Sequence, residues 1–331
     1  MKNTFIIAEA GVNHNGKIHI AKKLIDAAKN CGVDAIKFQT YIARNLSSRK
    51  ALTAQYQSKN KIKQLNLLKK LSLTFDENLI LKKYCKKKKI YFLSSAFDID
   101  SLKFLLNLNL KYYKVPSGQI DDLPYLKLLA KKNKKVIIST GMANVKEISK
   151  VIEIFKINGT KNKNLSLLHC TSAYPTPEKE TNLKTILYLK KKYKIKVGFS
   201  DHTIGIDASV ASVAMGAEII EKHFTLNNKM KGPDHKASLE PNELKKMVEK
   251  IRVIEKMLGR EKKIITPNEK KNIQYVRKSI VAKKNIKKGE KFTIENITTK
   301  RPAKGVSPMN FYNLIGKKSK KNFFEDDLIQ I

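Results

Sequence analysis

Residues 5–11 read FIIAEAG, an apolar run that breaks off into Glu and Gly, and the same pattern returns seven times before residue 226. The later runs are AIKFQT (35–40), IYFLSSAF (90–97), YYKVPSG (112–118), VIISTG (136–141), LSLLHCTSAY (165–174), VGFSDHT (197–203) and EIIEKHFT (218–225). Runs this short, rich in Ile, Val, Phe and Tyr and with little alternation, read as parallel strands buried on both faces. Lys-studded amphipathic segments lie between several of them. HIAKKLIDAAKNCG (19–32) aligns Ile20, Leu24 and Ala27/Ala28 and closes with Gly32 as a C-cap, while NLILKKYCKKK (78–88), LPYLKLLAKK (123–132) and MANVKEISKVIEIF (142–155) repeat the pattern. Strand-then-helix alternation sustained eight times predicts a (β/α)8 TIM barrel, whose strand C-termini surround one shared site. An open doubly wound sheet is the rival, but no G-x-G-x-x-G follows the first run.

After the last amphipathic helix, ELKKMVEKIRVIEKMLG (243–259), the pattern changes. EKKIITPNEKKNIQYVRK (261–278) is polar, basic and interrupted by Pro267, and reads as a linker. Short β-like runs broken by Lys-Gly turns follow. The expected division is a barrel over 1–262, a linker over 263–276 and a small β-rich domain over 277–331. So small a domain is close to the limit of independent folding.

No run of eighteen apolar residues and no secretory leader is present, so the chain is expected to be soluble and cytoplasmic, with no membrane partner. Cys31, Cys85 and Cys170 are widely spaced and odd in number, which fits reduced thiols. The net charge of +39 raises nucleic acid as a partner. Against that, only six of the 68 basic residues are Arg, and the lysines are spread along the whole chain. Solvated lysine-rich faces are the simpler reading, and no nucleic-acid partner is expected.

The run ends carry the chemistry. His202 in GFSDH and His223 in EKHFT stand at matching places on consecutive strands, where two imidazoles can share a divalent ion. The alternative is two hydrogen-bonded core histidines; the matched positions, with Asp201 beside His202, favour the metal. His14, His169 and His235 are weaker candidates, and His19 reads as structural. Lys37, Lys114 and Lys222 sit inside otherwise apolar strands and need partners. With Ser94/Ser95, Ser117, Ser139/Thr140 and Ser200 at the same rim, and Gly118 and Gly141 allowing close backbone approach, they describe a pocket for a small anion. Capping of the following helices is the competing role for each serine. Glu9 is an acid/base candidate, or else a salt-bridge partner of a lysine. Asp234 and Tyr174, on loops after the eighth and sixth runs, add a carboxylate and a phenol.

EAGVNHNG (9–16), KFQT (37–40), KVPSGQ (114–119), HCTSAYPTP (169–177), GPDHKASLEP (232–241) and KRPAKGVSP (300–308), in this order along essentially the whole chain, resemble the sialic acid synthase family. The C-terminal portion resembles the SAF, or antifreeze-like, domain. The resemblance implies a transferase of the N-acetylneuraminate synthase type. Phosphoenolpyruvate, N-acetylmannosamine and water would give a nine-carbon 2-keto acid and phosphate, and legionaminate synthesis from a 2,4-diacetamido-2,4,6-trideoxymannose is the alternative. It further implies a divalent cofactor, Mn²⁺, on His202 and His223, with Lys37, Lys114, Ser117, Ser139, Ser172 and Ser200 around phosphoenolpyruvate. Glu9, Tyr174 and Asp234 would serve the reacting carbons and the sugar, and Arg301 would reach the sugar in the partner subunit of a domain-swapped homodimer. Gln119 and Ser172 depart from the family pattern, which has Glu and Asn there in many relatives. A different metal-dependent barrel aldolase or hydrolase, or a basic binding protein on a barrel scaffold, would leave the Lys/Ser set or the second domain without a role.

Overall fold

A computed structural model describes residues 3–53 and 63–330. Eight parallel strands close into a barrel in sequence order: β1 (Phe5–Gly11), β2 (Ala35–Thr40), β3 (Tyr91–Ala96), β4 (Tyr113–Val115), β5 (Val136–Ser139), β6 (Leu165–Cys170), β7 (Lys196–Asp201) and β8 (Ile219–His223). Closure is made by β1 against β8, where Phe5 pairs with Ile219 and Glu9 with His223. The expected fold is the observed one.

Helices α1 (Ile18–Asn30), α2 (Ala43–Leu46), α3 (Gln64–Leu71), α4 (Phe75–Lys88), α5 (Ile99–Asn107), α6 (Leu123–Ala130), α7 (Val145–Ile157), α8 (Thr185–Tyr193), α9 (Asp207–Ala214) and α10 (Pro241–Leu258) fill the crossovers and follow β8. Their starts are written in local chemistry. Thr74 and Glu77 form a reciprocal capping box on α4, and Asn144 with Glu147 does the same on α7. These boxes fix helix starts a few residues from where apolar periodicity alone places them. The two helices α2 and α3 between β2 and β3 were not among the expected elements.

Side chains alternate along each strand, so the barrel interior is layered. Ile7, Ala35, Leu93, Ile137, Leu168 and Ile219 pack together as one buried apolar layer inside the barrel. The large remaining core lies between strands and helices, with Phe38, Phe155 and Phe224 among its fully buried members. At Gly198 an added Cβ would come within 2.2 Å of the Ile219 carbonyl oxygen, so the wall tolerates only glycine there. Below the strands, Asp34 accepts from the Ile6 amide (2.8 Å) and from Arg252 of α10 (3.3 Å), tying the last helix to the base.

The chain divides into two compact units, Met1–Gly259 and Arg260–Ile331. In the second, the stretch read as a linker contains a helix, α11 (Pro267–Val276). Pro267 takes the first helical position, where its missing N–H costs nothing, and Thr266 with Glu269 forms a capping box. The rest is a small β-rich body with an antiparallel pair, β9 (Ser279–Ala282) and β10 (Ile297–Lys300), over a core that includes Ile280, Phe292, Ile297, Leu314 and Phe323.

Candidate active site

Two residues beyond the apolar layer, the same strands turn the same face inward with different chemistry. Ile7 is followed by Glu9, Ala35 by Lys37, Leu93 by Ser95, Ile137 by Ser139 and Ile219 by Glu221. β4 adds Lys114 and β7 adds Ser200. All of these but Ser95 line one cavity of about 380 Å³ at the strand C-termini. Ser117, Ser172, Tyr174, His202, His223 and Asp234 line it as well.

The buried charges form one network. Lys37 Nζ stands 2.9 Å from Glu9 and 3.5 Å from Glu221, and Lys114 Nζ stands 3.7 Å from Glu221. Lys37 also donates to Ser95, Lys114 donates to Ser139 at 2.5 Å, and Ser200 donates to Glu221 at 3.1 Å. Burial drives the Glu9 carboxyl up to about 7, helped by the neighbouring Glu221 and opposed by Lys37. Glu221 also pays for burial, but Lys114 and Lys37 outweigh it and hold the group below the usual carboxylate range. Burial presses on Lys37 too, yet Glu221 and Glu9 keep its ammonium above the ordinary value. Lys114 is pushed below, by burial and by Lys37. Two ammonium groups therefore face one firmly ionised carboxylate and one that titrates near neutrality. This layer is electropositive, and it suits an anion small enough to enter.

The histidines meet above this layer, their ring centroids 5.4 Å apart, with the Tyr174 ring 4.1 Å from His202 and edge-on to His223 at 5.8 Å. His202 Nδ1 donates to the Thr171 carbonyl (2.7 Å), so Nε2 carries the lone pair whenever the ring is neutral. Burial lowers His202, but Cys170 and the Thr171 carbonyl outweigh it and raise the group. His223 is held well below the usual range, first by burial and then by the charge of His202. His223 is therefore neutral, the ligating form, and its buried Nδ1 has no hydrogen-bond partner. Among the described residues no group of three or more His, Cys, Asp or Glu side chains is gathered for an ion. Two imidazoles alone fit an open site, in which substrate and water supply the other ligands.

Asp234 is drawn in by Gly11, whose φ is +51°. A Cβ there would lie 3.3 Å from Asp234 Oδ2 and 3.4 Å from Glu9 Oε1. Burial raises the Asp234 carboxyl to about 6. Gly141 does similar work for the hydroxyls: its amide donates to Ser117 Oγ (3.1 Å), and an added Cβ would stand 2.2 Å from Ser172 Oγ. Ser117, Ser139 and Ser200 thus make tertiary contacts within the barrel mouth.

Several sequence readings need correction. Lys222 does not face the cavity; it pairs with Asp201 at 3.0 Å and donates to the Thr203 carbonyl, both partners buried with it. Asp201 does not orient His202, because it accepts from Thr203, Ser209 and Lys222. Gln119 lies outside the cavity and donates to the Phe97 carbonyl (2.7 Å), a bond a carboxylate could not make. His14 accepts from the Gly16 amide, His169 bonds the Thr181 carbonyl and His235 bonds Thr225, so all three hold loops. Arg301 belongs to the second unit, where it donates to the Val276 carbonyl. The sequence reading missed Glu221, although alternation about His223 signals it: if 223 faces inward, so does 221, and Lys222 faces out.

Comparison with known proteins places this geometry. Residues 24–263 match the NeuB family and residues 277–331 the SAF domain. The chain is 52% identical over 333 residues to N,N'-diacetyllegionaminic acid synthase of Campylobacter jejuni, covering 100% of both chains. It is 39% identical to N-acetylneuraminate-9-phosphate synthase of Homo sapiens, over 98% of this chain and 91% of that protein. Among solved structures, N-acetylneuraminic acid synthetase from Leptospira borgpetersenii in complex with citrate superposes with a TM-score of 0.75 at 36% identity, covering 82% of this chain and 90% of that one.

Proposed function

The chain belongs to the NeuB family, which includes sialic and legionaminic acid synthases, and from that premise we propose that it condenses phosphoenolpyruvate with an N-acylated mannose-type sugar. Water enters, and a nine-carbon 2-keto acid and phosphate leave. The observation that carries the reading is the electropositive layer of Lys37, Lys114, Ser139 and Ser200 beneath a histidine pair in one cavity. Its lysines suit a phosphate ester bearing a carboxylate, with Ser117 and Ser172 beside the Gly141 amide as further hydroxyls.

C3 of phosphoenolpyruvate attacks C1 of the open-chain sugar, water adds at C2, and phosphate departs with C–O cleavage. Glu9, titrating near 7, takes the proton of the water and returns it to the former aldehyde oxygen. Asp234 and Tyr174 orient the sugar against the histidines. His202 and His223 would hold a divalent ion, Mn²⁺ being the expected species, which would supply Lewis-acid polarisation when bound. Arg301 reaches the sugar's N-acyl end from the second copy of a domain-swapped homodimer.

Similarity to a relative named N,N'-diacetyllegionaminic acid synthase, 52% identical over its full length, supports the legionaminate alternative, with 2,4-diacetamido-2,4,6-trideoxymannose as the acceptor. The test is phosphate release from phosphoenolpyruvate with each sugar, with and without Mn²⁺. Sugar- and metal-dependent release supports the synthase. Release independent of any sugar would sink it, and a fully active monomer would remove the swapped dimer.

A further inference from the structure

Behind the histidine pair, on the outer face of the sheet, lies a second set of buried charges that the cavity does not use. β7 and β8 run side by side with Asp201 opposite Lys222, each one residue before a histidine. Both side chains are buried, against α9 and the loop that leads to it. Lys222 Nζ stands 3.0 Å from Asp201 Oδ2 and donates to the Thr203 carbonyl at 2.6 Å. Asp201 Oδ1 accepts from the Thr203 amide (2.8 Å) and hydroxyl (2.7 Å), and Oδ2 accepts from Ser209 (2.6 Å). Lys222, on the strand of one histidine, thus grips the chain on both sides of the other. The two imidazoles are held unequally. His202 has a bond from its ring to the Thr171 carbonyl, and its own carbonyl accepts from the Thr176 amide (2.9 Å). His223 is tied at its carbonyl, which accepts from the Leu239 amide (2.8 Å), but its buried Nδ1 has no partner. A ligating imidazole is ordinarily aimed by a bond to its second nitrogen. Without one at Nδ1, the aim of His223 rests on the strand that carries it.

We propose that Lys222 is a positioning residue for the histidine pair: by tying β8 to the Asp201–Thr203 stretch, it sets the separation at which His202 and His223 can share one divalent ion. The inference rests on the metal reading above and deepens it by naming what fixes the geometry. Neither Lys222 nor Asp201 touches a ring; they act on the backbone from which both rings project. With two protein ligands and the remaining positions left to substrate and water, affinity depends on both imidazoles meeting the ion at once. A buried ion pair kept for stability alone can be replaced by uncharged side chains of similar volume. A tie to one particular carbonyl cannot.

The test is calorimetric titration of the full-length protein with Mn²⁺ alone, in the wild type, in Lys222→Met and in the double variant Asp201→Asn/Lys222→Met, with urea unfolding of each in parallel. Lys222→Met should weaken Mn²⁺ binding by about 10- to 100-fold. The KM of phosphoenolpyruvate, measured at saturating Mn²⁺, should stay put. The double variant strands no charge, so it should regain most of the lost unfolding midpoint while its Mn²⁺ affinity remains low. That split is one a purely structural ion pair would not produce. A double variant that regains wild-type Mn²⁺ affinity, or a folded Lys222→Met that binds Mn²⁺ as the wild type does, would overturn the positioning role and leave the metal reading standing. A wild type that takes up no Mn²⁺, or takes it up equally well after His223→Ala, would strike the metal reading itself and the role of Lys222 with it.

Discussion

Ile7 and Glu9 sit two residues apart on β1, face the same way, and are equally buried, yet they belong to layers of opposite character. The apolar layer of Ile7, Leu93, Ile137 and Leu168 costs nothing to dehydrate and stabilises the barrel. The layer above it holds Glu9, Lys37, Lys114 and Glu221 at 3–5% exposure, where each charge loses water and regains it only through its partners. A fold seeking stability alone would continue the leucines. The difference teaches that stability alone does not account for the upper layer, and that its stability depends on keeping the network complete.

The sharpest break is to remove one charge. Lys37→Met leaves Glu9 and Glu221 facing each other, and urea unfolding should show a loss of about 3–5 kcal/mol together with loss of turnover. Lys222→Met, outside the barrel, should cost a similar amount by stranding Asp201 but leave the KM for phosphoenolpyruvate unchanged. Comparable unfolding costs with opposite kinetic outcomes would separate the two faces of the sheet.

Glu9→Gln should lower kcat by about 10²–10⁴. In the wild type, kcat/KM rises as pH increases through about 7, where the carboxyl ionises, and that limb should vanish in the variant. Stability moves the other way. The carboxyl is raised from 4.5 to about 7, so the folded chain holds a proton that the unfolded chain has released across that window. Its contribution to stability is present below 4.5 and is lost as pH rises through about 7. Glu9→Gln should flatten that slope in denaturation measured at several pH values.

Ile137→Ala tests the lower layer. It should cost about 2–5 kcal/mol in unfolding while kcat stays near wild type, since a void there touches no reacting group. The smallest effect belongs to Thr266→Ala, which removes the α11 cap. It should cost about 1 kcal/mol in the second unit, read as faster amide exchange along the helix.

The barrel was legible in sequence because its strands are apolar on both faces and their number and order leave little choice of closure. The site was legible as a set of strand ends, because a period of two carries side chains to one face whatever else happens. That rule, applied through EKH at 221–223, also yields Glu221 and dismisses Lys222, which residue type alone had grouped with the anion pocket. Asp201 was misjudged for a related reason: proximity in sequence to His202 suggested service to the site, whereas it accepts from Thr203 and Ser209.

What the sequence determined by itself is the alternation of strand and helix, the inward register of each strand and the chemistry at each strand end. These follow from local backbone geometry. Only the tertiary structure decided which ends touch, that Lys37 is shared by Glu9 and Glu221, that Glu9 titrates near 7, and that α3 turns its leucines toward the cavity. Those depend on distances between residues far apart in the chain and on how much water is excluded between them, and neither quantity is written in any one segment.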